Sequence, residues 1–63
     1  MRSAAMYLVR GPDGTMSTVV AHSNRGALKL YLFKHPELQP GDFLSVKQRG
    51  ATEDWTDYKV GRR

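Results

Sequence analysis

Two stretches rich in β-forming residues open the chain, at residues 5–10 and 16–21. They are separated by Gly11-Pro12-Asp13-Gly14, in which Pro presets the first turn dihedral and Gly supplies a left-handed position. This arrangement predicts a β-hairpin. The second strand alternates between two faces, one with Met16, Thr18 and Val20 and the other with Ser17, Val19 and Ala21.

A single helix is predicted after the hairpin. Ser23 and Asn24 are both good N-caps, residues 25–35 favour or tolerate a helix, and Pro36 ends the segment. At 100° per residue, the stripe expected to face the core consists of Ala27, Leu28, Tyr31, Leu32 and His35. The other side carries Gly26, Lys29, Leu30, Phe33 and Lys34, so that two large apolar groups lie off the core face.

Two further strands are predicted after the helix, at residues 43–49 and 55–60, with a turn at residues 50–54 between them. Pro40-Gly41 matches the two central positions of a type II turn just before the first of them. Leu44, Val46 and Gln48 are expected to face the helix, and Phe43, Ser45, Lys47 and Arg49 to face away from it. The last strand alternates Trp55, Asp57 and Lys59 with Thr56, Tyr58 and Val60, and residues 61–63 are expected to form a frayed basic tail.

The order of elements predicts an α+β fold in which residues 1–63 form one small domain. Two hairpins flank one helix, which favours a four-stranded antiparallel sheet with the helix across one face. One helix cannot cover both faces of such a sheet. The second face is therefore expected to be solvated or to contact another molecule, and the sequence leaves the strand order open.

The composition argues against several kinds of site. The 63 residues include no cysteine and two histidines, which excludes disulfides and thiolate metal centres and predicts neither cofactor nor metal. No nucleophile–histidine arrangement or glycine-rich phosphate loop is evident, so we expect no enzymatic activity. The carboxylates Glu53, Asp54 and Asp57 match no calcium loop, and we interpret them as a solvated turn.

No membrane segment is predicted. The longest apolar run, residues 4–9, is far short of the roughly 20 residues that a membrane span needs. With Arg2 before so short a run, the N-terminus is also a poor signal peptide. A cytoplasmic location is therefore expected, and the absence of cysteine is compatible with it.

The formal net charge is +4, and the sequence predicts two basic surfaces. The first, the sheet patch, combines aromatic and cationic side chains that the last two strands place on one face: Phe43, Lys47, Arg49, Trp55 and Lys59. Aromatic groups among cations suit stacked bases and phosphates, whereas the alternative is that Phe43 and Trp55 belong to the core.

The second surface, the helix patch, is an apolar pair among cations: Arg25, Lys29, Leu30, Phe33 and Lys34. Such a pair on a basic helix face indicates contact with another protein. Two alternatives are open, namely cover by a loop or edge strand, and a homodimer in which Leu30 and Phe33 pack against their symmetry mates.

The layout resembles small proteins of bacteriophages and other mobile elements, some of which are anti-CRISPR inhibitors. The segments that carry this resemblance are Met6–Arg10, Gly11–Gly14, Val19–Leu32 and Asp54–Val60. The resemblance implies a non-enzymatic inhibitor that docks on a host protein or ribonucleoprotein defence complex, such as a CRISPR effector, and blocks it sterically. The alternative is a small basic module or regulator that binds DNA or RNA. The resemblance transfers no individual site residue.

Overall fold

The computed structural model describes residues 3–50, 52 and 54–61. Its elements follow the order β1 (Ala5–Arg10), β2 (Met16–Ala21), α1 (Asn24–Lys34), β3 (Phe43–Gln48) and β4 (Thr56–Lys59). The predicted α+β class is confirmed, with one helix and four antiparallel strands in one open sheet. The boundaries differ from the predicted ones by one residue, so that Trp55 precedes β4 and Arg49 follows β3.

The strands lie in the order β2-β1-β3-β4, so both predicted hairpins form and join through their first strands. In this arrangement β1 and β3 are central, and β2 and β4 are the edges. The pairs Tyr7↔Val19 and Val9↔Val46 fix the register on the helix side. Because side chains alternate along a strand, this register decides which residues of all four strands share the other side.

The turns form as their residues predict. The Gly14 N–H donates to the Gly11 carbonyl at 3.0 Å, and the Asp42 N–H donates to the Gln39 carbonyl at 3.1 Å across Pro40-Gly41. Gly14 and Gly41 have φ values of 88° and 97°, in the left-handed region that favours glycine. Of the predicted turn at residues 50–54, Ala51 and Glu53 lie outside the described residues, as do Arg62 and Arg63 of the predicted tail.

Helix α1 begins at a side-chain cap. The Ser23 Oγ accepts from the Gly26 N–H at 3.1 Å, so Ser23 is the N-cap and Asn24 is the first helical residue. The helix packs on β1, β2 and β3. Its fully buried contacts to the sheet come from Ala27 and Tyr31. His35, which we predicted within the helix, is the residue that ends it.

The hydrophobic core lies between the helix and one face of the sheet. Its members are buried apolar side chains from β1, β2, β3 and the helix, together with Val60, which follows β4: Tyr7, Val9, Val19, Ala21, Ala27, Tyr31, Leu44, Val46 and Val60. Leu28, Leu32, Leu38 and Tyr58 pack against it. The expected core positions Leu44 and Val46 are confirmed, whereas Gln48, at the end of β3, is exposed.

Candidate binding surface

The side of the sheet opposite the helix, which we call the open face, has no second layer in the described part of the chain. Strand alternation sets its membership, because each of its residues lies next to one that points into the core. The strands contribute Met6, Leu8, Arg10, Met16, Thr18, Val20, Phe43, Ser45, Lys47, Asp57 and Lys59. Trp55 and Arg49 join this face through contacts with Arg10, Lys47 and Met6.

The open face exposes large apolar side chains. Four of the six large hydrophobic residues that are exposed in the structure lie on it, namely Met6, Met16, Val20 and Phe43, with exposures of 45%, 54%, 57% and 63%. The alternative that Phe43 belongs to the core is therefore wrong. In the register, Val20 lies beside Met6, Met16 beside Arg10 and Phe43 beside Lys59, so exposed apolar and charged side chains are interspersed on this face.

Trp55 is held between cations on this face. The Arg10 guanidinium carbon lies 4.8 Å from the centre of the Trp55 ring, and the Lys47 Nζ lies 5.7 Å from it. Both distances are within the range of cation–π attraction, which stabilises an exposed pair by about 0.5–1 kcal/mol. The half-buried indole is thus fixed in place, and it holds two positive charges at one end of the open face.

A short hydrogen-bond chain orders the same region. The Ser45 hydroxyl donates to the Asp57 carboxylate at 2.6 Å, and an Arg10 N–H donates to the Ser45 oxygen at 3.5 Å. Asp57 is the one carboxylate that β1–β4 place on this face, where Arg10, Lys47 and Lys59 supply positive charge. The face therefore has a net positive charge, and its central arginine is positioned by two neighbours.

Two further cations extend the charge to opposite ends of β3. Arg49 lies beside Met6, with its Nη1 3.7 Å from the methionine sulfur, and its backbone N–H donates to the Met6 carbonyl at 2.9 Å. Lys59 lies opposite Phe43 in the β3–β4 register. Lys47 and Lys59 consequently share the open face but stand at separate ends of it.

All five residues of the predicted sheet patch lie on the open face: Phe43, Lys47, Arg49, Trp55 and Lys59. The helix patch lies on the other layer of the molecule. Its members Arg25, Lys29, Leu30, Phe33 and Lys34 are all exposed, with Leu30 at 43% and Phe33 at 86%. Within the described residues, neither a loop nor an edge strand covers Phe33. The two patches are therefore separate surfaces.

The sequence analysis did not find the contribution of the first hairpin to the open face. Arg10, Met6, Met16 and Val20 all belong to it. The usable signal was the alternation of Met6, Leu8 and Arg10 with Tyr7 and Val9 in β1. Because both of these sets contain large apolar groups, alternation alone did not indicate which set faces the helix.

Among the residues that the structure describes, no group of three or more His, Asp or Glu is placed to hold a metal ion. Of the three carboxylates that we interpreted as a solvated turn, Glu53 lies outside the described residues and Asp57 is hydrogen-bonded to Ser45. In the same described part, no helix has the length and apolar character needed to cross a membrane.

Comparison with known proteins gives no relative: no protein-family model, no curated protein and no solved structure matches this chain.

Proposed function

We propose that this protein is a non-enzymatic binding protein that docks its open face on an acidic surface of another protein. The observation that carries the proposal is the coexistence of exposed Met6, Met16, Val20 and Phe43 with cations on that one face. Methionine, aromatic residues and arginine are enriched at protein–protein interfaces. The apolar groups supply contact area, and the cations supply orientation and attraction towards a negatively charged partner.

A narrower form of the proposal is inhibition of a host defence ribonucleoprotein complex, such as a CRISPR effector, in the cytoplasm. Its support is the resemblance in layout to small phage proteins, together with the basic character of the open face. Inhibition would be steric: a domain with principal Cα extents of 32 × 23 × 15 Å would cover a surface that nucleic acid or a moving domain needs.

Two charge-reversal variants test which face binds. Lys47→Glu/Arg49→Glu alters the open face, and Lys29→Glu/Lys34→Glu alters the helix patch with the same change in net charge. We expect immobilised wild-type protein to retain a defined host protein after nuclease treatment, the open-face variant to lose it, and the helix-patch variant to keep it. Thermal melting serves as the folding control. The exposed substitutions change stability by about 0.5 kcal/mol or less, and the loss of the contact between half-buried Lys47 and Trp55 adds about 0.5–1 kcal/mol in the open-face variant.

The outcomes are distinguishable. Equal retention by the wild type and the Lys47→Glu/Arg49→Glu variant would show that the open face is not the binding surface. Loss of retention only in the Lys29→Glu/Lys34→Glu variant would show that the helix patch is the binding surface. Loss of the retained protein after nuclease treatment would show that nucleic acid, rather than the open face itself, holds the partner.

A second candidate function is binding of single-stranded nucleic acid on the same face. The observation that favours it is Trp55 flanked by Arg10 and Lys47, since bases stack on aromatic rings and phosphates attract cations. Trp55 is the single tryptophan of the chain, so its fluorescence reports directly on this site. Under this function, oligothymidylate quenches the fluorescence, and the logarithm of the affinity falls linearly with the logarithm of salt concentration. Unchanged fluorescence at low salt would rule it out.

A further inference from the structure

The two edge strands of the sheet differ in length and in charge. β4 has four residues, and two of them, Asp57 and Lys59, are charged. β2 has six residues with neither a charge nor a proline, and it pairs with β1 residue by residue without a bulge. Short length, charged side chains, prolines and bulges are features by which proteins keep a sheet edge from pairing with another strand. The β4 edge has two of these features, and the β2 edge has none.

The hydrogen bonds of the first hairpin show which backbone groups of β2 point outwards. The Gly11 N–H donates to the Thr15 carbonyl at 2.9 Å, which makes these two residues a hydrogen-bonded pair of the antiparallel ladder. Hydrogen-bonded and non-bonded pairs alternate along such a ladder, so every second residue, beginning with Ser17, bonds to β1. The N–H and C=O groups of the alternate residues point away from the sheet: Met16, Thr18 and Val20.

These outward groups are accessible to another strand. Met16, Thr18 and Val20 are exposed, and within residues 3–50, 52 and 54–61 no hydrogen bond from a turn, a loop or a side chain reaches their backbone groups. Each of the three residues therefore offers one donor and one acceptor. Met16 and Val20 add large exposed apolar side chains to the same edge.

The charge around β2 favours a second copy of this chain as the strand that pairs there. The formal net charge is +4, so two copies repel each other where their cations meet. Residues 14–24, which include β2, contain no Lys, Arg, Asp or Glu, and no other stretch of the sequence without these residues is as long. Two copies can therefore pair along β2 without like charges on the paired strands, whereas a strand of an acidic partner would find no cation on β2.

β2 is also complementary to itself in the antiparallel direction. With a two-fold axis at Thr18, this residue lies opposite Thr18 of the second copy, and Met16 lies opposite Val20. Each of these pairs joins residues whose backbone groups point outwards, so each exchanges both N–H···O bonds. The side chains fit as well, because opposed threonines form hydrogen bonds and Met16 covers Val20 of the second copy. Opposed residues point to the same side of a sheet, so the open faces of both copies lie on one side.

We propose that the protein forms a two-fold symmetric dimer in which β2 pairs with β2 of a second copy. The two four-stranded sheets then join into one continuous antiparallel sheet, in which β2 is no longer an edge. Their open faces form one surface with the apolar residues of β2 at its centre and Trp55 with its cations in each half. This inference goes beyond the proposed function and does not depend on it, since it requires no other partner. Because the interface centres on one strand pair, we expect weak association.

Amide hydrogen exchange followed by NMR tests the dimer without any substitution. In the monomer, pairing with β1 protects the amides of Ser17 and Val19, while the amides of Met16, Thr18 and Val20 exchange freely. Pairing of β2 with a second copy protects these three amides as well. We therefore expect their exchange to slow at least threefold between micromolar and millimolar protein. Sedimentation equilibrium should show a monomer–dimer equilibrium over the same range.

Two lysine substitutions locate the interface. Thr18→Lys places like charges directly opposite each other at the two-fold axis, which destabilises a strand pair. Thr56→Lys makes the same change in net charge at an exposed position of β4, the other edge strand. We expect Thr18→Lys to weaken dimerisation at least tenfold and Thr56→Lys to leave it within twofold. Circular dichroism melts at micromolar concentration, where all three proteins are monomeric, are the folding control.

The proposal is overturned if the wild type stays monomeric at millimolar concentration, or if Thr18→Lys and Thr56→Lys weaken the dimer equally. It is also overturned by a dimer in which the Thr18 amide still exchanges freely. If Phe33→Ser abolishes such a dimer, self-association belongs to the helix patch. A monomeric protein whose retention of a host protein depends on Thr18 would instead assign the β2 edge to a strand of that partner.

Discussion

Gly11 lies where the first hairpin turn packs closely against a side chain of the helix. A Cβ added there would lie 2.7 Å from the Tyr31 hydroxyl oxygen and 3.3 Å from an Asp13 carboxylate oxygen. Because real Cβ contacts are not that short, any side chain at this position displaces the Tyr31 ring, which is buried and stacked on His35. The packing of the hairpin turn against the helix therefore requires glycine at position 11.

Gly11→Ala is accordingly expected to lower the free energy of unfolding by about 1–2 kcal/mol, in the range of other overpacking substitutions. Gly61→Ala is the matched control, since nothing lies within 4 Å of its added Cβ. Thermal or urea unfolding measures both. Adding Tyr31→Phe to Gly11→Ala should restore most of the loss. Equal melting of the Gly11→Ala and Gly61→Ala variants would contradict the clash.

At the scale of the element, the start of α1 depends on one side chain. Ser23 and Asn24 have similar intrinsic cap preferences, so the sequence did not choose between them. The structure assigns the cap to Ser23, whose extended backbone lets its oxygen reach the Gly26 N–H. Asn24 is already helical and contributes no cap.

Ser23→Ala should therefore destabilise the protein by about 1 kcal/mol. In a domain of this size, that corresponds to a fall in melting temperature of about 4–8 °C. Asn24→Ala should be neutral or slightly stabilising, because alanine is the better helix former. Circular dichroism melts of the two variants provide the comparison, and a larger loss for Asn24→Ala would mean that the cap is misassigned.

At the scale of the whole molecule, the two layers separate the exposed surfaces. The open face lies on the outer side of the sheet, and the helix patch lies on the outer side of the helix. A flat partner cannot contact the open face and the helix patch together. Binding through the open face would therefore leave the helix patch accessible.

The homodimer predicted from Leu30 and Phe33 belongs to this scale. If it forms, sedimentation equilibrium shows a dimer at high concentration that Phe33→Ser abolishes. Phe43→Ser is the matched control, because it removes an equally large exposed ring from the opposite face and leaves the dimer intact. A wild-type protein that stays monomeric at millimolar concentration would exclude the dimer.

Local patterns were sufficient for most of the fold. Both hairpins, the single helix and the turns at Gly14 and Gly41 follow from residues that are close together in the sequence. The inward positions of Leu44 and Val46 also follow from alternation, because their neighbours Ser45 and Lys47 are polar. Such features depend on steric preferences and periodicity that a short segment expresses by itself.

The candidate surfaces depended on the tertiary structure to different degrees. The membership of the sheet patch could be predicted, since β3 and β4 are adjacent in the chain. The contact between Arg10 and Trp55 could not be predicted from the sequence. These residues are 45 positions apart and meet only because β1 pairs with β3. The groove that Asp13, Tyr31 and Asp42 line could not be predicted either, because these residues belong to three segments that no local pattern connects.

By itself, the sequence determined the element types, their order, the turns and a basic charge, all of which arise from neighbouring residues. The tertiary structure alone decided that β1 lies between β2 and β3, which of its two apolar sides is buried, and which charges meet. The physical reason is that β1 is apolar on both sides. Its orientation is set by packing against Tyr31 and Val46 rather than by its own alternation, and the open face follows from that choice.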